Sequence, residues 1–584
     1  MKRLALLLAA SCLWSCDCNK SAPDAGVVDA GPKTLTEKEP NDAPEKALLI
    51  DSSAIVEANL GADPSKPDED WYVLRSSLPK TADVKVSCPP GADIQLEVVD
   101  DARNQLLIVN AEGPGKPERM PDLDVAAPVY LRISAAKKGA GGAYTMTVQM
   151  TDRQVGFELE PNDRKVDATP VPLGQAVSGY LSHPADGDWY RFELPTPAGM
   201  VKLEEPDSGP AAADSGEAVD SGAPASGDGG EAAPPPPGEG NKLPIKIELS
   251  AVDGVAWDVQ VLSEAEAPLF TAKSKEGQGL SLRNVGVRES DRVIYVVVKS
   301  AWTGAGKEAK RGYNASSYYT LSVAEEEAGA AAEIEPNDSI DRATDLPAGA
   351  YREGFISPKG DVDYYLVHAD QPSLAKVNLT GVEKVDLVLS ALQADGGVVL
   401  KANDGAIKEP EQLNAVSCRP DCWFKVEAAP RKVDGKWVKD DDNPDMAYRI
   451  SATLTPDDGS QEREPNNTPD TATVIELGKA IRGTVYPKKD TDFFLLDLSG
   501  KPVKTPLKAT LTGILKVDVG LYVHQLDESG KAELVQTADS AKGDKPETVR
   551  FTAEPGKYVF EVRDSKNRES NFQDSYQLTV EEAE

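Results

Sequence analysis

Acidic residues recur along the chain in two short patterns whose residue types and spacing could hold a metal ion. The first is Glu-x-Glu-Pro-Asn-Asp, and the second is Asp-x-Asp followed by two aromatic residues, 26 to 29 residues after the second Glu. Carboxylate and amide oxygens are the ligands of calcium, which takes about six to eight of them. The candidate ligands are Glu37, Glu39, Asn41, Asp42, Asp68, Asp70, Glu158, Glu160, Asn162, Asp163, Asp186, Asp188, Glu333, Glu335, Asn337, Asp338, Asp361, Asp363, Glu462, Glu464, Asn466, Asp490 and Asp492.

Each pattern has a backbone reason to gather its side chains. Proline restricts the first pattern to an extended bend, and the period of two along a strand places both Asp of the second pattern on one face. Carboxylates that converge need a counter-ion or raised pKa values. The alternative is that Asp, Asn and Pro only cap turns. Zinc is not favoured, because no His or Cys cluster accompanies the acids.

The two patterns belong to four internal repeats. An Ala follows eight residues after the second Glu of each copy, and a Gly stands seven residues before each Asp-x-Asp. That Gly is Gly61, Gly179, Gly354 or Gly483. This alignment places three extra residues of the first repeat before Gly61. The fourth repeat differs in having Asn467 where the others have Asp.

The rest of each repeat predicts short strands separated by Gly, Pro and Asp turns. We therefore expect an all-β protein of four tandem β-sandwich, jelly-roll-like domains, with a short helical turn after each Glu-Pro-Asn. The expected domains are 34–152, 153–325, 330–457 and 458–584. Residues 204–241 are rich in Ala, Gly, Pro, Asp and Glu, which predicts a disordered insert between two strands of the second domain.

The N-terminus has the pattern of an export signal. Two basic residues precede an apolar run too short to span a bilayer, which predicts a signal peptide over 1–15. The sequence Leu-Trp-Ser-Cys ending at Cys16 is similar to a bacterial lipoprotein box, so we expect a lipid on Cys16 and a flexible tether over 16–33. Cleavage at Cys12, or an ordinary secretory signal, is the alternative.

Composition excludes some classes of partner. The 584 residues carry a formal net charge of −34, which argues against a phosphate-binding surface for nucleic acid. It argues equally against adhesion to an anionic membrane through a basic patch. The chain has only three histidines, His183, His368 and His524, in unlike positions of different repeats, and we expect each to be an ordinary surface or strand residue. No hydrolase, Walker or dinucleotide motif is present, so no catalytic residue is predicted.

Cysteines outside the lipid box suggest disulfide chemistry, which export permits. Cys418 and Cys422 enclose three residues and are predicted to form a local disulfide, with a metal-binding pair as the alternative. Cys18 and Cys88 are a second candidate pair.

The repeats resemble the bacterial pre-peptidase C-terminal domain. The resemblance is carried by Glu-Pro-Asn-Asp, the Gly turn, Asp-x-Asp with its aromatic pair and the closing Tyr strand, and it covers residues 34–584 apart from the insert. It implies β-sandwiches in which the acidic segment and the Asp-x-Asp turn supply calcium ligands. Relatives in bacterial collagenases bind calcium and collagen. Because no peptidase domain precedes the repeats, the resemblance does not imply proteolysis.

These observations predict a non-catalytic, exported lipoprotein that serves as a calcium-stabilised binding or spacer module. It would be anchored in the bacterial cell envelope, in the periplasm or at the cell surface. Its partners would be the membrane, through the lipid, and an envelope or extracellular protein or glycan, but not nucleic acid. The alternatives are an accessory or chaperone-like lipoprotein for secreted proteases, and a hydrolase acting on glycans or proteins.

Overall fold

A computed structural model describes residues 31–195 and 242–583, apart from 64, 138–139, 289–290, 328 and 541–542. The described chain is all-β, as expected, and its helices are single 3₁₀ turns. These are Pro44–Lys46, Lys165–Asp167, Gly306–Glu308, Ile340–Arg342 and Pro469–Thr471. Four of the turns directly follow the Glu-Pro-Asn motifs. Within the described residues, none of these helices has the length and apolar character needed to cross a membrane.

Several sequence-based predictions lie outside the described residues. They are the signal peptide 1–15, Cys12, Cys16, Cys18, most of the tether and the insert 204–241.

The chain divides into two compact units. The first extends to Ile108 and adds Glu112–Glu118 and Val125–Asp152, while the second holds the remainder, including repeats two to four.

The first repeat forms two five-stranded sheets, ordered β1-β3-β10-β5-β8 and β2-β4-β9-β6-β7. Its strands are β1 (Lys33–Thr36), β2 (Leu48–Ile50), β3 (Ala54–Leu60), β4 (Glu69–Leu74), β5 (Lys80–Val86), β6 (Ile94–Val99), β7 (Gln105–Val109), β8 (Glu118–Val125), β9 (Val129–Ala135) and β10 (Gly142–Asp152).

The second repeat forms a five-stranded sheet, β11-β13-β18-β15-β16, a four-stranded sheet, β12-β21-β14-β17, and a small ribbon, β19-β20. Its strands are β11 (Thr169–Pro170), β12 (Ala176–Leu181), β13 (Gly187–Glu193), β14 (Lys242–Leu249), β15 (Trp257–Ser263), β16 (Pro268–Lys273), β17 (Leu280–Arg288), β18 (Val293–Ser300), β19 (Trp302–Thr303), β20 (Lys310–Arg311) and β21 (Asn314–Glu325).

The third repeat has the same order, with sheets β22-β24-β29-β26-β27 and β23-β32-β25-β28 and a ribbon β30-β31. Its strands are β22 (Thr344–Asp345), β23 (Tyr351–Gly354), β24 (Val362–His368), β25 (Ser373–Leu379), β26 (Leu387–Leu392), β27 (Val398–Ala402), β28 (Glu411–Cys418), β29 (Asp421–Ala428), β30 (Arg431–Val433), β31 (Lys436–Val438) and β32 (Tyr448–Pro456).

The fourth repeat has sheets β33-β35-β40-β37-β38 and β34-β41-β36-β39. Its strands are β33 (Thr473–Val474), β34 (Ala480–Val485), β35 (Thr491–Asp497), β36 (Thr505–Leu511), β37 (Val519–Leu526), β38 (Ala532–Ala538), β39 (Glu547–Ala553), β40 (Lys557–Asp564) and β41 (Asn571–Glu582).

Alternation of side chains explains where the cores lie. In β3 and β24 every second residue is buried, as a strand with one solvent-facing side requires. In the second repeat, apolar residues from both sheets, including Tyr190 and Tyr319, form one buried cluster. The third and fourth repeats contain equivalent clusters. The ends of strands β4, β13, β24 and β35 near these cores carry the Asp-x-Asp motifs.

Candidate metal centres

Backbone hydrogen bonds bring the two acidic patterns together in every repeat. The amide of the first aromatic residue after Asp-x-Asp donates to the carbonyl of the motif Asn, as from Tyr364 to Asn337 (3.1 Å). The Asn amide in turn donates to the side chain of the second Glu, as from Asn337 to Glu335 (2.9 Å). The Glu–Pro peptide bond is cis in all four motifs. The same bonds in the other repeats pair Trp71 with Asn41, Trp189 with Asn162 and Phe493 with Asn466.

The acids then form compact groups. In the second repeat Glu158, Glu160 and Asp188 each place a carboxylate oxygen within 4.8 Å of the others. Glu160, Asp163 and Asp186 form a second such group, so Glu160 belongs to both. Equivalent groups are Glu37-Glu39-Asp70, Glu39-Asp42-Asp68 and Glu333-Glu335-Asp363.

Three side-chain oxygens stand out because they are buried and accept no hydrogen bond. They are one oxygen of the second Glu, the Asn carbonyl oxygen and one oxygen of the second Asp. The same three are found in repeats two, three and four: Glu160 Oε1, Asn162 Oδ1, Asp188 Oδ1, Glu335 Oε1, Asn337 Oδ1, Asp363 Oδ1, Glu464 Oε1, Asn466 Oδ1 and Asp492 Oδ1. A buried oxygen without a partner is costly, and the carboxylate and amide oxygens in these three positions are of the type that binds hard cations.

The other oxygens of the groups are held by protein donors. Glu333 accepts from the Phe355 amide (2.6 Å) and from the Tyr365 hydroxyl (2.9 Å). The Tyr365 and Tyr448 hydroxyl oxygens lie 2.6 Å apart, and Tyr448 donates to Asp363 (2.6 Å). The two tyrosines therefore orient the first Glu and the second Asp and leave one Asp oxygen free.

This pairing of two tyrosines was not predicted from the sequence. Their positions in the strands fit aromatic residues that only pack in the core or over the sandwich edge. The pair is Tyr72–Tyr144, Tyr190–Tyr319 or Tyr365–Tyr448 in the first three repeats. In the fourth repeat Phe494 replaces the first Tyr, and Tyr576 donates to Asp492 (2.6 Å). A usable clue is that the closing strand always carries Tyr and never Phe at this position.

Burial and mutual repulsion raise the pKa of these carboxyls. Desolvation raises the pKa of Glu333 to about 7 and that of Glu464 to about 7. Burial, followed by the charge of Asp186, raises the pKa of Asp163 to about 6. In the first repeat burial raises the pKa of Asp70 to about 8. A positive charge bound beside these groups would favour their ionised forms.

The glycine of the repeat has a steric role, and the structure corrects its position in the first repeat. A Cβ on Gly354 would fall against Glu333 Oε2 and 2.5 Å from the Tyr448 hydroxyl oxygen, so the carboxylate occupies the space of the missing side chain. Gly354 pairs with Tyr448, whereas Tyr144 of the first repeat pairs with Ala58. The alignment of Gly61 with these glycines is therefore wrong, because Ala58 takes the glycine position.

The three extra residues consequently follow Gly61 rather than precede it. Gly61 donates its amide to Asp68 (2.5 Å). The equivalent donors in the other repeats are Ser182, Ser357 and Tyr486, each four residues before its Asp instead of seven.

His183 and Asn467 both lie beside the acidic groups of their repeats. His183 is 8 % exposed and its Nδ1 lies 3.6 Å from Asp186 Oδ2, so it is a buried neighbour of the acidic group and not an ordinary surface residue. Asn467, with its amide oriented to donate, hydrogen-bonds Asp490 Oδ1 (3.1 Å) where the other repeats have a carboxylate.

The second Glu is also joined to the preceding repeat in the second unit. Glu335 donates its amide to the Asn284 carbonyl (2.9 Å), and its own carbonyl accepts from Gly286 (2.8 Å). Glu464 makes the same two bonds with Ala415 (2.9 Å) and Ser417 (2.9 Å). These contacts seat the motif on strands β17 and β28.

In both strands, the residue that accepts the bond from the Glu amide has a left-handed backbone conformation. Asn284 in β17 and Ala415 in β28 both have φ of +51°, and each stands where the strand slips register against its neighbour. Such a bulge leaves backbone groups unpaired in their own sheet. In the fourth repeat β39 pairs with β36 without a slip, and Glu547–Ala553 contains no left-handed residue. Strand β39 therefore lacks the bulge on which β17 and β28 bind the Glu of the next repeat.

The structure describes three of the cysteines, one in the first repeat and two in the third. Cys418 and Cys422 form a disulfide with a Cα–Cα distance of 5.0 Å, joining β28 to β29. Cys88 is a free thiol that donates to the Ala92 carbonyl (3.1 Å).

Comparisons with known proteins do not show a family for the chain. No family model matches, and a search of curated proteins finds no match. Among solved structures, the pre-peptidase C-terminal domain of collagenase from Bacillus anthracis is 20 % identical, over 19 % of this chain and 94 % of its own, with a TM-score of 0.15. The CUB1-EGF-CUB2 region of human MASP-1/3 is 7 % identical, over 36 % of this chain and 91 % of its own, with a TM-score of 0.13. The stem and receptor-binding domain of spike protein P1 from bacteriophage PM2 is 12 % identical, over 39 % of this chain and 98 % of its own, with a TM-score of 0.12.

Proposed function

We propose that the chain is a tandem array of four β-sandwich modules, similar to pre-peptidase C-terminal domains, whose acidic groups bind calcium. The array acts as a non-catalytic spacer and binding module at the bacterial cell envelope. A lipid on Cys16 and the tether that follows attach it to the membrane. The proposal of tandem sandwiches is supported by the sheet order, which recurs with each sequence repeat.

The observation that carries the calcium proposal is the recurrence of the same three unpartnered buried oxygens in repeats two to four. One comes from the second Glu, one from Asn and one from the second Asp, a set of hard oxygen donors suited to calcium. A bound ion would neutralise the carboxylates and join the two acidic patterns. The tyrosine hydroxyls keep the remaining oxygens in place.

The spacer role is supported by the backbone bonds that join the second Glu to the preceding repeat. Glu335 presents its carboxylate to the acidic group of its own repeat while its backbone is hydrogen-bonded to β17 of the preceding one. An ion held by Glu335 would therefore stiffen the junction as well as the module. Glu464 is placed in the same way against β28.

Burial of the acids supports a binding role over hydrolysis. A glycosidase needs two carboxyl groups that flank an accessible glycosidic bond. Glu160 and Glu335 are each 2 % exposed and Asp363 is 0 % exposed, so a polymer cannot reach them without unfolding the site.

The test is thermal unfolding of the chelator-stripped protein with and without millimolar calcium. Calcium that binds only the folded state should raise the melting temperature by several degrees, about 3 °C or more, and magnesium should do less. Asp363→Ala should remove the third repeat's share of this response. Without calcium the same change should stabilise the protein, because it relieves like-charge repulsion.

Asp395→Ala is the matched control. Asp395 is an exposed turn residue that accepts the Gly397 amide (2.9 Å), so its loss should lower stability slightly in both conditions. A wild-type melting curve that does not move in millimolar calcium would refute the proposal.

A further inference from the structure

Two small β-ribbons occupy matching places in repeats two and three of the second unit. Ribbon β19-β20 lies between β18 and β21, and ribbon β30-β31 lies between β29 and β32. The corresponding connections in repeats one and four span only residues 136–141 and 565–570. The ribbons are therefore additions to the shared module, and the fold does not need them.

Each ribbon presents one tryptophan beside a cation. Trp302 pairs across the ribbon with Arg311, whose guanidinium carbon lies 5.3 Å from the ring centroid. Trp437 pairs with Lys432, whose ammonium lies 5.1 Å from the ring centroid. Both tryptophan residues are 66 % exposed, whereas Trp257 in the core of repeat two is 0 % exposed. The cross-strand cation fixes the ring while most of it still faces solvent.

The ribbons are also locally positive on a chain of net charge −34. The first carries Lys307, Lys310 and Arg311 against Glu308, and the second carries Arg431, Lys432 and Lys436 against Asp434. Arg431 is engaged by Asp440 and Asp441. Among the described residues, no carboxylate forms an ion pair with the ammonium groups of Lys307, Lys310, Lys432 or Lys436.

An exposed indole ring beside ammonium groups that form no ion pair with a carboxylate suits a ligand with flat apolar faces and separate negative charges. A sugar ring stacks on the indole face through its C–H groups, and its carboxylate, sulfate or phosphate substituent pairs with lysine as a point charge. An anionic membrane suits the ribbons less well. The turns that would enter it carry Glu308 and Asp434, and the tryptophans lie on the strands rather than at the turns.

We infer that the two ribbons form binding sites for an anionic polysaccharide. The inference rests on the binding role proposed above but not on calcium, because no ribbon residue belongs to an acidic group. It names the ligand class that the array would hold at the envelope.

The experiment titrates the full chain, in calcium throughout, with alginate oligomers, a polyuronate too short to gel in calcium, and with dextran sulfate, and follows tryptophan fluorescence and heat. Unsubstituted dextran is the neutral counterpart of the sulfated polymer, and phosphatidylglycerol vesicles test the membrane alternative. Binding to alginate or dextran sulfate, but not to dextran, is expected. Affinity should fall with rising salt, because the ammonium contacts are exposed.

Variants assign the binding to the ribbons. The double change Trp302→Ala and Trp437→Ala should weaken binding about tenfold or more. Lys432→Ser with Lys436→Ser should weaken it and flatten the salt dependence. The control is Leu534→Ala, which removes an exposed apolar side chain (60 % exposed) from β38, outside the ribbons, and should change nothing.

Three results would overturn the inference. They are no binding to either anionic polymer, unchanged affinity in the double tryptophan variant, and binding to vesicles alone. Since calcium is present throughout, each of these can occur while the calcium-dependent melting shift is intact, so this failure is distinct from failure of the calcium proposal.

Discussion

The acidic sites of the first and third repeats use the same residue types but differ in what surrounds them. Glu335 is 2 % exposed and is seated on the left-handed bulge at Asn284, whereas Glu39 is exposed and its backbone makes no such pair of bonds among the described residues. The glycine position is Gly354 in the third repeat and Ala58 in the first. Burial of the second Glu therefore accompanies its two backbone bonds to the preceding repeat.

The largest effect on stability should come from exchanging Gly and Ala at the position that faces the closing-strand tyrosine. Gly354→Ala pushes a methyl group against Glu333 and Tyr448, so we expect a loss of about 2–4 kcal/mol in the free energy of unfolding of repeat three. Ala58→Gly in the first repeat should cost about 1 kcal/mol or less, because it only adds backbone freedom. Urea unfolding of both variants makes the comparison, and equal losses would contradict the steric role.

The next effect is the pH dependence of the calcium-free protein. Asp163, Glu333 and Glu464 have folded-state pKa values raised to about 6, 7 and 7, so the folded protein holds protons that the unfolded chain releases. The stability of the calcium-free protein should therefore fall as pH rises from about 4.5 to 8, with a melting temperature lower by about 5 °C or more. Calcium should flatten this profile. A calcium-free melting temperature that rises with pH over this window would contradict the assignment.

Replacing the second Glu by Gln distinguishes Glu335, whose backbone is bonded to the preceding repeat, from Glu39, whose backbone makes no such bonds among the described residues. Glu335→Gln should stabilise the calcium-free protein by about 1–2 kcal/mol, because glutamine neither adds a charge to the repulsive group nor has to take up a proton on folding, and it should reduce the calcium response. Glu39→Gln should change calcium-free stability by about 0.5 kcal/mol or less, since the side chain is exposed. Calorimetry of both variants, with and without calcium, compares them. Equal effects would show that the preceding repeat does not control the site.

The smallest effect concerns the tyrosine pair. Tyr365→Phe copies the Phe494 arrangement of the fourth repeat and should cost about 0.5–1.5 kcal/mol by removing one hydrogen bond to Glu333. The reverse change, Phe494→Tyr, should be neutral or stabilising if its hydroxyl reaches Glu462. Chemical denaturation measures both, and a loss larger than that of Gly354→Ala would show that the hydroxyl stabilises the site more than the glycine does.

Much of the fold was accessible from the sequence because strand alternation and the acidic motifs are local patterns. The all-β class, the turns after Glu-Pro-Asn and the grouping of Glu333, Glu335 and Asp363 follow from such patterns. The glycine register of repeat one was not accessible, since Gly61 imitates the spacing while the deciding contact is a cross-strand pair with Tyr144.

The bulges that bind the second Glu of the next repeat could not be predicted from the sequence for a related reason. Alanine is not a residue type that signals a left-handed conformation, so nothing in the sequence marks Ala415 as part of a bulge. The bulge becomes evident only from the backbone bonds that the next repeat makes with it. The tyrosine pair was hidden because its members lie 83 residues apart in the third repeat.

The most direct test of the calcium proposal counts bound calcium by equilibrium dialysis of the full chain against radioactive calcium near about 1 mM. We predict saturable binding of about three ions or more per chain. Glu335→Gln should lower that number, and Asp395→Ala should leave it unchanged. No saturable calcium in the wild-type protein, or the same number in the wild type and Glu335→Gln, would contradict the proposal.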